Sequence, residues 1–414
     1  MPPQFASLLG LLVFIALAWA LSEKRRNFPW RTVACGLALQ LGFGLLILKT
    51  EFGRRFFDQF QLAVTRLIGF ADEGAAMVFG PLANTKMLAE KWGPENAFIF
   101  VVTVTATIIL VSAISSLLYH YGILQLVVRA TAWVMQKTMR TSGSESLAAA
   151  ANMFVGQTEA PLVIKPYLPH MTRSELMALM TGGMATIAGG VLAAYVSFGV
   201  SAGHLLTASV MSAPAALLIA KIMIPERERS ETTAGASAKV ETRSVNGLDA
   251  LCRGASDGML LAINVMAMLM AFVAIVALAN YLLSLGLGWF AIHESRPLQT
   301  LFGWVNAPFA WLMGVPARDC LVIGEILGER IVLNEFIGYL SLSREQASLD
   351  PRSVTIATYA LCGFANFASI AIQIGGIGVL APERRNDLSR LGGRAMIGGV
   401  LASYLTATVA GILL

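Results

Sequence analysis

The chain reads as an all-α polytopic membrane protein with eight transmembrane helices plus two re-entrant helical hairpins, arranged as an inverted repeat. Composition points there first: 56% of the 414 residues are hydrophobic and 13% charged, with a mean hydropathy of +0.68. That is more apolar surface than a soluble core of this length can hide. Several apolar runs are also long enough to cross a hydrocarbon core of roughly 30 Å, which takes about 20 helical residues. Finally, the Lys and Arg content of the loops is mutually consistent only if two further apolar regions fail to cross.

In chain order the spans fall near 5–21, 32–48, 97–118, 176–200, 205–224, 258–287, 353–380 and 396–413. The first is not a cleavable signal peptide, because Lys24, Arg25 and Arg26 follow its apolar stretch instead of preceding it. After the second span, "GRRFFDQFQLAVTRLIGF" puts Phe56, Phe57, Phe60, Val64, Leu67 and Ile68 on one helical face. Arg54, Arg55, Asp58 and Arg66 take the other, the pattern of an interfacial helix. The 30-residue run 258–287 predicts a long, tilted scaffold helix.

Placing "EKRRNFPWR", the stretch with Lys137 and Arg140, "KPYLPHMTR", "PERERSETTAGASAKVETRS" and "PERRNDLSRLGGR" on the cytoplasmic side leaves 142–165 and 318–342 as the regions that turn back. Both termini then lie outside. In the first region Ser142 or Ser144 can cap a short helix through "LAAAANMF", Gly156 permits a reversal, and Pro161 suits the first turn of a returning helix. In the second, Asp319 can cap "CLVIGEIL", Gly328 is expected to end that helix, and "NEFIGYL" restarts it. Each hairpin precedes an apolar segment interrupted by Gly and polar residues, at 182–195 and 361–376.

A hairpin followed by an interrupted helix, occurring twice with opposite predicted orientation, is the sequence trace of an inverted repeat in secondary transporters. Irregular backbone cannot face lipid unsatisfied, so the breaks must face protein or a water-filled cavity, where a substrate would bind. The expected organisation is a transport domain on a scaffold domain. Residues 1–128 are N-terminal scaffold helices and 129–225 the first transport repeat. Residues 226–300 form a solvated cytoplasmic linker, its polar part at 226–247, and the long scaffold helix; 301–414 form the second repeat.

A carboxylate at membrane depth costs at least about 2.5 kcal/mol, so Glu159 and Glu335, each at a hairpin tip, need a reason. The structural alternative is a cap or an interhelical ion pair with Lys165 or Arg330. The company of Gln157, Thr158 and Asn334 favours function, because a polyhydroxylated, amide-bearing neutral solute would satisfy all of these groups.

"GQTEAPLVIKPYL", "NEFIGYL" and "ALCGFANFASIAIQIGGIG", in that order and spacing, resemble the motifs of the concentrative nucleoside transporter family over nearly the whole chain. The resemblance implies a homotrimer in the bacterial inner membrane, in the form without the three extra N-terminal helices of larger animal relatives. Each protomer would import a uridine-like nucleoside with a coupling cation. It also implies that Gln157 and Thr158 hydrogen-bond the base, with Glu159 joining partly through water and Val191 packing on it. Glu335, Asn366 and Ser369 would hold the ribose, and Phe364 would lie against the base; a core aromatic and helix-to-helix hydrogen bonding are the plain readings of Phe364, Asn366 and Ser369.

By the same resemblance, a sodium ion would sit between the first hairpin and the following broken helix, at Asn152, Val155, Thr186 and Ile187. Oxygen ligands from unwound backbone suit a hard cation. The amide and hydroxyl needed are present in Asn152 and Thr186, so sodium is favoured over a proton. A helix C-terminal cap is the alternative role for Asn152, and a proton carried by Glu159 or Glu335 the alternative coupling.

Other classes find less support. Cys35, Cys252, Cys320 and Cys362 show no paired metal spacing, and His120, His170, His204 and His293 no zinc spacing. A P-loop is absent, and so is any nucleophile-and-base set for a membrane-embedded enzyme. The pI near 9.1 reflects loop charge and not nucleic-acid binding. A passive channel would explain the helices but not two polar hairpin tips.

Overall fold

The computed structural model describes residues 3–93, 99–233, 244–288, 294 and 296–414, and every regular element among them is a helix. An N-terminal group comprises α1 (Pro3–Ala20), α2 (Trp30–Lys49), α3 (Glu51–Phe79), α4 (Thr85–Trp92) and α5 (Phe100–His120). Next come α6 (Ile123–Met139), α7 (Gly143–Asn152), α8 (Ala160–Val163), α9 (Arg173–Ala185), α10 (Gly189–Ser197) and α11 (Ala202–Met223). A single helix, α12 (Gly247–Gly288), leads to α13 (Pro297–Leu312), α14 (Cys320–Val332), α15 (Glu335–Glu345), α16 (Pro351–Leu361), α17 (Phe367–Leu380) and α18 (Arg385–Leu413).

The two groups after α5 and after α12 correspond element by element. In each, one helix (α6 or α13) packs on the first arm of a short helical pair, an interrupted span follows, and a long buried helix closes the group. Among the described residues seven segments are long and apolar enough to cross a membrane, with α9 and α10 counted together. The predicted span 353–380 is α16 and α17, two half-length helices separated at 362–366.

Capping chemistry explains where the first hairpin begins. Ser142 N donates to Glu145 Oε1 at 2.6 Å while Ser142 Oγ accepts from Glu145 N, and Thr172 and Glu175 do the same at the start of α9. Both are S/T-x-x-E capping boxes. Ser144, the other candidate cap, instead donates to Glu175 Oε1 at 3.0 Å.

Several expectations are corrected. Asp319 stands at the start of α14 without capping it: its Oδ2 accepts from Asp350 N and Ser353 Oγ, tying hairpin 2 to α16. Gly328 does not end α14, which runs on to Val332; its missing side chain instead lets Phe302 of α13 approach, since a Cβ there would lie 2.2 Å from Phe302 Cβ. The interfacial reading of α3 is not among them: its apolar face carries Phe56, 46% exposed, beside the buried Val64 and beside Phe57, which packs edge-on against His204.

The linker is not simply solvated where it is described. Ser230 and Thr232 are buried, Ser230 Oγ donates to Glu175 Oε1 at 2.6 Å, and Gly143 N donates to Thr232 O at 2.9 Å. Lys221 meets Glu145 at 2.7 Å and Glu226 at 3.1 Å in the same network. The capped starts of α7 and α9 thus have more polar groups than water alone reaches, and the linker's first turn satisfies them. Residues 234–243 of the linker, and His293, lie outside the described residues.

Contacts run across residue 128. Ser7 of α1 donates to Met313 O at 2.9 Å, and Gln40 of α2 donates to Met211 O and Thr406 Oγ1, so both helices lie against the repeats. α5 pairs instead with α12. Ala250, Gly254, Gly258 and Ala262, one per turn, are the buried stripe of α12, and a Cβ at Gly258 would lie 2.8 Å from Ile109 Cα. Small residues at this spacing let helix backbones meet in lipid. Only 11% of the apolar window of α12 is buried, against 89% for α11, so most of its surface is left for lipid or another subunit.

Candidate functional site

Two hairpin tips and two helix interruptions converge on one cavity of about 1460 Å³. All eight sequence-predicted substrate residues, Gln157, Thr158, Glu159, Val191, Glu335, Phe364, Asn366 and Ser369, line it. It exceeds the roughly 300–1,000 Å³ of ordinary ligand pockets, as a site with a vestibule attached would. Gln157, Val191, Glu335, Asn366 and Ser369 are buried, Phe364 is half-buried, and Thr158 and Glu159 open onto the space.

Asparagine caps set the second half of this site. Asn334 accepts from Ile337 N at 3.0 Å and so starts α15, placing the Glu335 carboxylate at a helix N-terminus, where the backbone dipole favours negative charge. Asn366 starts α17 by accepting from Ser369 N at 2.9 Å, which turns its Nδ2 toward Glu335 Oε2 at 3.1 Å. The other carboxylate oxygen accepts from Tyr195 Oη of α10, also at 3.1 Å. One lone pair on each oxygen is thereby held by protein, and the rest are left for hydroxyl donors.

The first half is joined to the second by Gln157 Nε2, which donates to Ser369 Oγ at 3.1 Å. Neither ion pair weighed from the sequence forms among the described residues. Arg330 turns away from Glu335, and no cation lies within 4.0 Å of the Glu159 carboxylate.

Asn152 is the last residue of α7, and Thr186 follows the last residue of α9. Both are buried, with Val155 and Ile187 in the non-helical turns beside them, where carbonyls leave the helical ladder. Gly189 N donates to Phe154 O at 3.1 Å and clips the hairpin tip to the interruption. Thr186 Oγ1 donates back to Gly182 O at 2.9 Å, and a Cβ on Gly182 would lie 3.2 Å from Asn152 Nδ2. Neither polar atom of the Asn152 side chain has a partner among the described residues. A buried amide left unsatisfied is costly, and a bound cation coordinated by its oxygen would remove the oxygen's share of that cost. As a plain helix cap Asn152 would have found backbone to bond.

The two interruptions also touch. Gly363 holds φ +148°, open to glycine, and a Cβ there would lie 2.7 Å from Met184 O at the end of α9.

Comparison with known proteins decides the family. Profiles described as "Na+ dependent nucleoside transporter C-terminus" and "N-terminus" match residues 204–411 and 9–82, and one described as "Nucleoside recognition" matches 101–202. The chain belongs to the Na+-dependent nucleoside transporter family. It is 43% identical over 406 residues to the "Uncharacterized transporter YutK" of Bacillus subtilis, covering 98% of each chain. It is 40% identical to rat "Sodium/nucleoside cotransporter 1" over 428 residues, spanning 64% of that longer protein. Among solved structures, CNTnw in an inward-facing substrate-bound state superposes with a TM-score of 0.93 at 39% identity, covering 99% of this chain and 97% of that one.

In this nucleoside transporter one residue, Tyr195, escaped the sequence reading, and another, Arg330, has a role other than the ion pair weighed there. Tyr195 reads as one more apolar helix residue; its place four positions after Val191, on the same helical face, is the signal that could have found it. Arg330 is fully buried and donates to Ala360 O at 2.8 Å, Gly363 O at 3.3 Å and Ser403 Oγ at 2.9 Å. It thus neutralises the carbonyl end of the half-helix α16 and fastens it to α18. Arg330→Met should strip partners from several buried acceptors at once and lower stability by about 3 kcal/mol. A thermal midpoint in detergent equal to that of the native transporter would rule out this role.

Proposed function

We propose that this chain imports nucleosides across the bacterial inner membrane in symport with sodium, as a homotrimer with both termini on the periplasmic side. The observation that carries the reading is the Glu335 carboxylate, buried at the junction of hairpin 2, α10 and α17 with one lone pair on each oxygen already engaged. Glu335, Asn366 and Ser369 would take the vicinal ribose hydroxyls. Gln157, Thr158 and Glu159 would meet the base edge, with Val191 and Phe364 against its faces. Asn152 and Thr186, with the Val155 and Ile187 carbonyls, would hold sodium, and the unpartnered Asn152 amide supports that over proton coupling.

For motion, the packing supports a division other than one at residue 128. The travelling body would comprise the two hairpins, the interrupted helices and the α1, α2, α11 and α18 packed on them, moving against a frame of α5 and α12. The exposed length of α12 supports its use between subunits.

The decisive measurement is radiolabelled uridine uptake into proteoliposomes under imposed sodium or proton gradients. Accumulation should follow the sodium gradient and stop when choline replaces sodium at fixed pH. Undiminished accumulation in choline would reject the sodium site, and gradient-independent flux would reject coupling altogether.

A further inference from the structure

Gln373 lies within α17, is 1% exposed, and has no place in the binding roles above. Its Nε2 donates to two acceptors, Met180 O of α9 and Gln157 Oε1, both at 3.0 Å. Its own Oε1 has no partner among the described residues. A carbonyl oxygen can only accept. Met180 O therefore fixes which end of the Gln373 amide faces it, since a reversed amide would set two acceptors against each other.

The consequence passes along the chain of amides. Nε2 of Gln373 has a second hydrogen, which demands an acceptor from Gln157, so Gln157 turns its Oε1 that way and its Nε2 toward Ser369 Oγ, 3.1 Å off. That bond uses a lone pair of the Ser369 hydroxyl and leaves its hydrogen free, as it leaves the second hydrogen of Gln157 Nε2.

We propose that Gln373 is a positioning residue that sets the polarity of base recognition. By holding Gln157 with its Nε2 outward it makes this corner of the cavity present an N–H donor, so the base edge received there is one that carries an acceptor. The inference rests on the reading that Gln157 meets the nucleobase.

A packing role does not account for these contacts. A leucine would fill nearly the same volume without burying a carbonyl oxygen that has no partner. α9 also comes unusually close at this point: a Cβ on Gly183 would lie 2.7 Å from Gln373 Nε2 and 2.9 Å from Gln157 Cβ. One side chain thus bridges hairpin 1, α9 and α17.

The test is Gln373→Leu, assayed in proteoliposomes with uridine and with cytidine, which exchanges one of uridine's carbonyl acceptors for an amine donor. With Gln157 free to turn over, the ratio of the two KM values should move about tenfold toward unity, while Vmax and the sodium concentration for half-activation stay within about twofold. An unchanged KM ratio overturns the proposal, including where Vmax falls, because that is what a merely structural residue gives. Gln373→Met, flexible and of similar volume, replaces the leucine variant if the latter does not elute as a single species. Failure of the native chain to take up any nucleoside would instead sink the transport reading itself, and this proposal with it.

Discussion

Glu335→Gln should raise the KM for uridine roughly a hundredfold while leaving the protein folded, a loss of about 3 kcal/mol. Both carboxylate oxygens now act only as acceptors, one toward Tyr195 Oη and one toward Asn366 Nδ2. An amide keeps the shape but turns one oxygen into a donor, so one of these protein donors loses its acceptor and faces another donor. The bonds that remain for ribose hydroxyls also lose their charge assistance. The same variant should lose most of its discrimination between uridine and its 2′- or 3′-deoxy analogues, because on the proposed reading the native site would reject them by leaving a buried partner unpaired. Uptake titrations on reconstituted protein give both numbers. A native KM, or discrimination fully retained, would mean the sugar is held elsewhere.

Asn152→Leu should abolish the sodium response and, in sodium-free buffer, make the protein more stable by about 1–3 kcal/mol. The sign is the informative part. The native amide is buried with no partner among the described residues, so removing its polarity relieves a penalty when no cation is present. Sodium should raise the thermal midpoint of the native protein by mass action and leave that of the variant unmoved. Sodium-driven uridine accumulation should fall at least about tenfold in parallel. If Asn152 only caps α7, the variant would instead be less stable in every buffer and keep its sodium-dependent midpoint shift.

The hairpins were legible because polar residues inside apolar runs are expensive and therefore informative. Ser142 with Glu145 sits in a local capping pattern, Asn334 stands where the second arm of hairpin 2 begins, and Asn366 where the half-helix α17 begins. Seven of the eight predicted substrate residues stand in the family motifs and Val191 in the interrupted segment 182–195, and the fold gathers all of them around one space. Misreadings arose where sequence proximity stood in for geometry. Arg330 and Glu335 are five residues apart, yet the turn at Leu333 points the guanidinium into the end of α16. Gly328 looked like a stop and is a place where α13 comes close. Gln373 and the burial of Ser230 and Thr232 depend on contacts between distant segments, and no local period reports those. The four small residues of α12 are the exception: their spacing is readable in the sequence, although two of them, Ala250 and Gly254, precede the apolar run 258–287.

The contact at Gly363 has a mechanical corollary. Two interrupted rods that rest on each other at their interruptions, with no side chain between Gly363 and the Met184 carbonyl, cannot be slid past one another by even a single residue without collision. In the motion proposed above the two interrupted helices would therefore travel as one piece. Their displacement would run along the side where α10 meets α5, at Gly190 and Ser112.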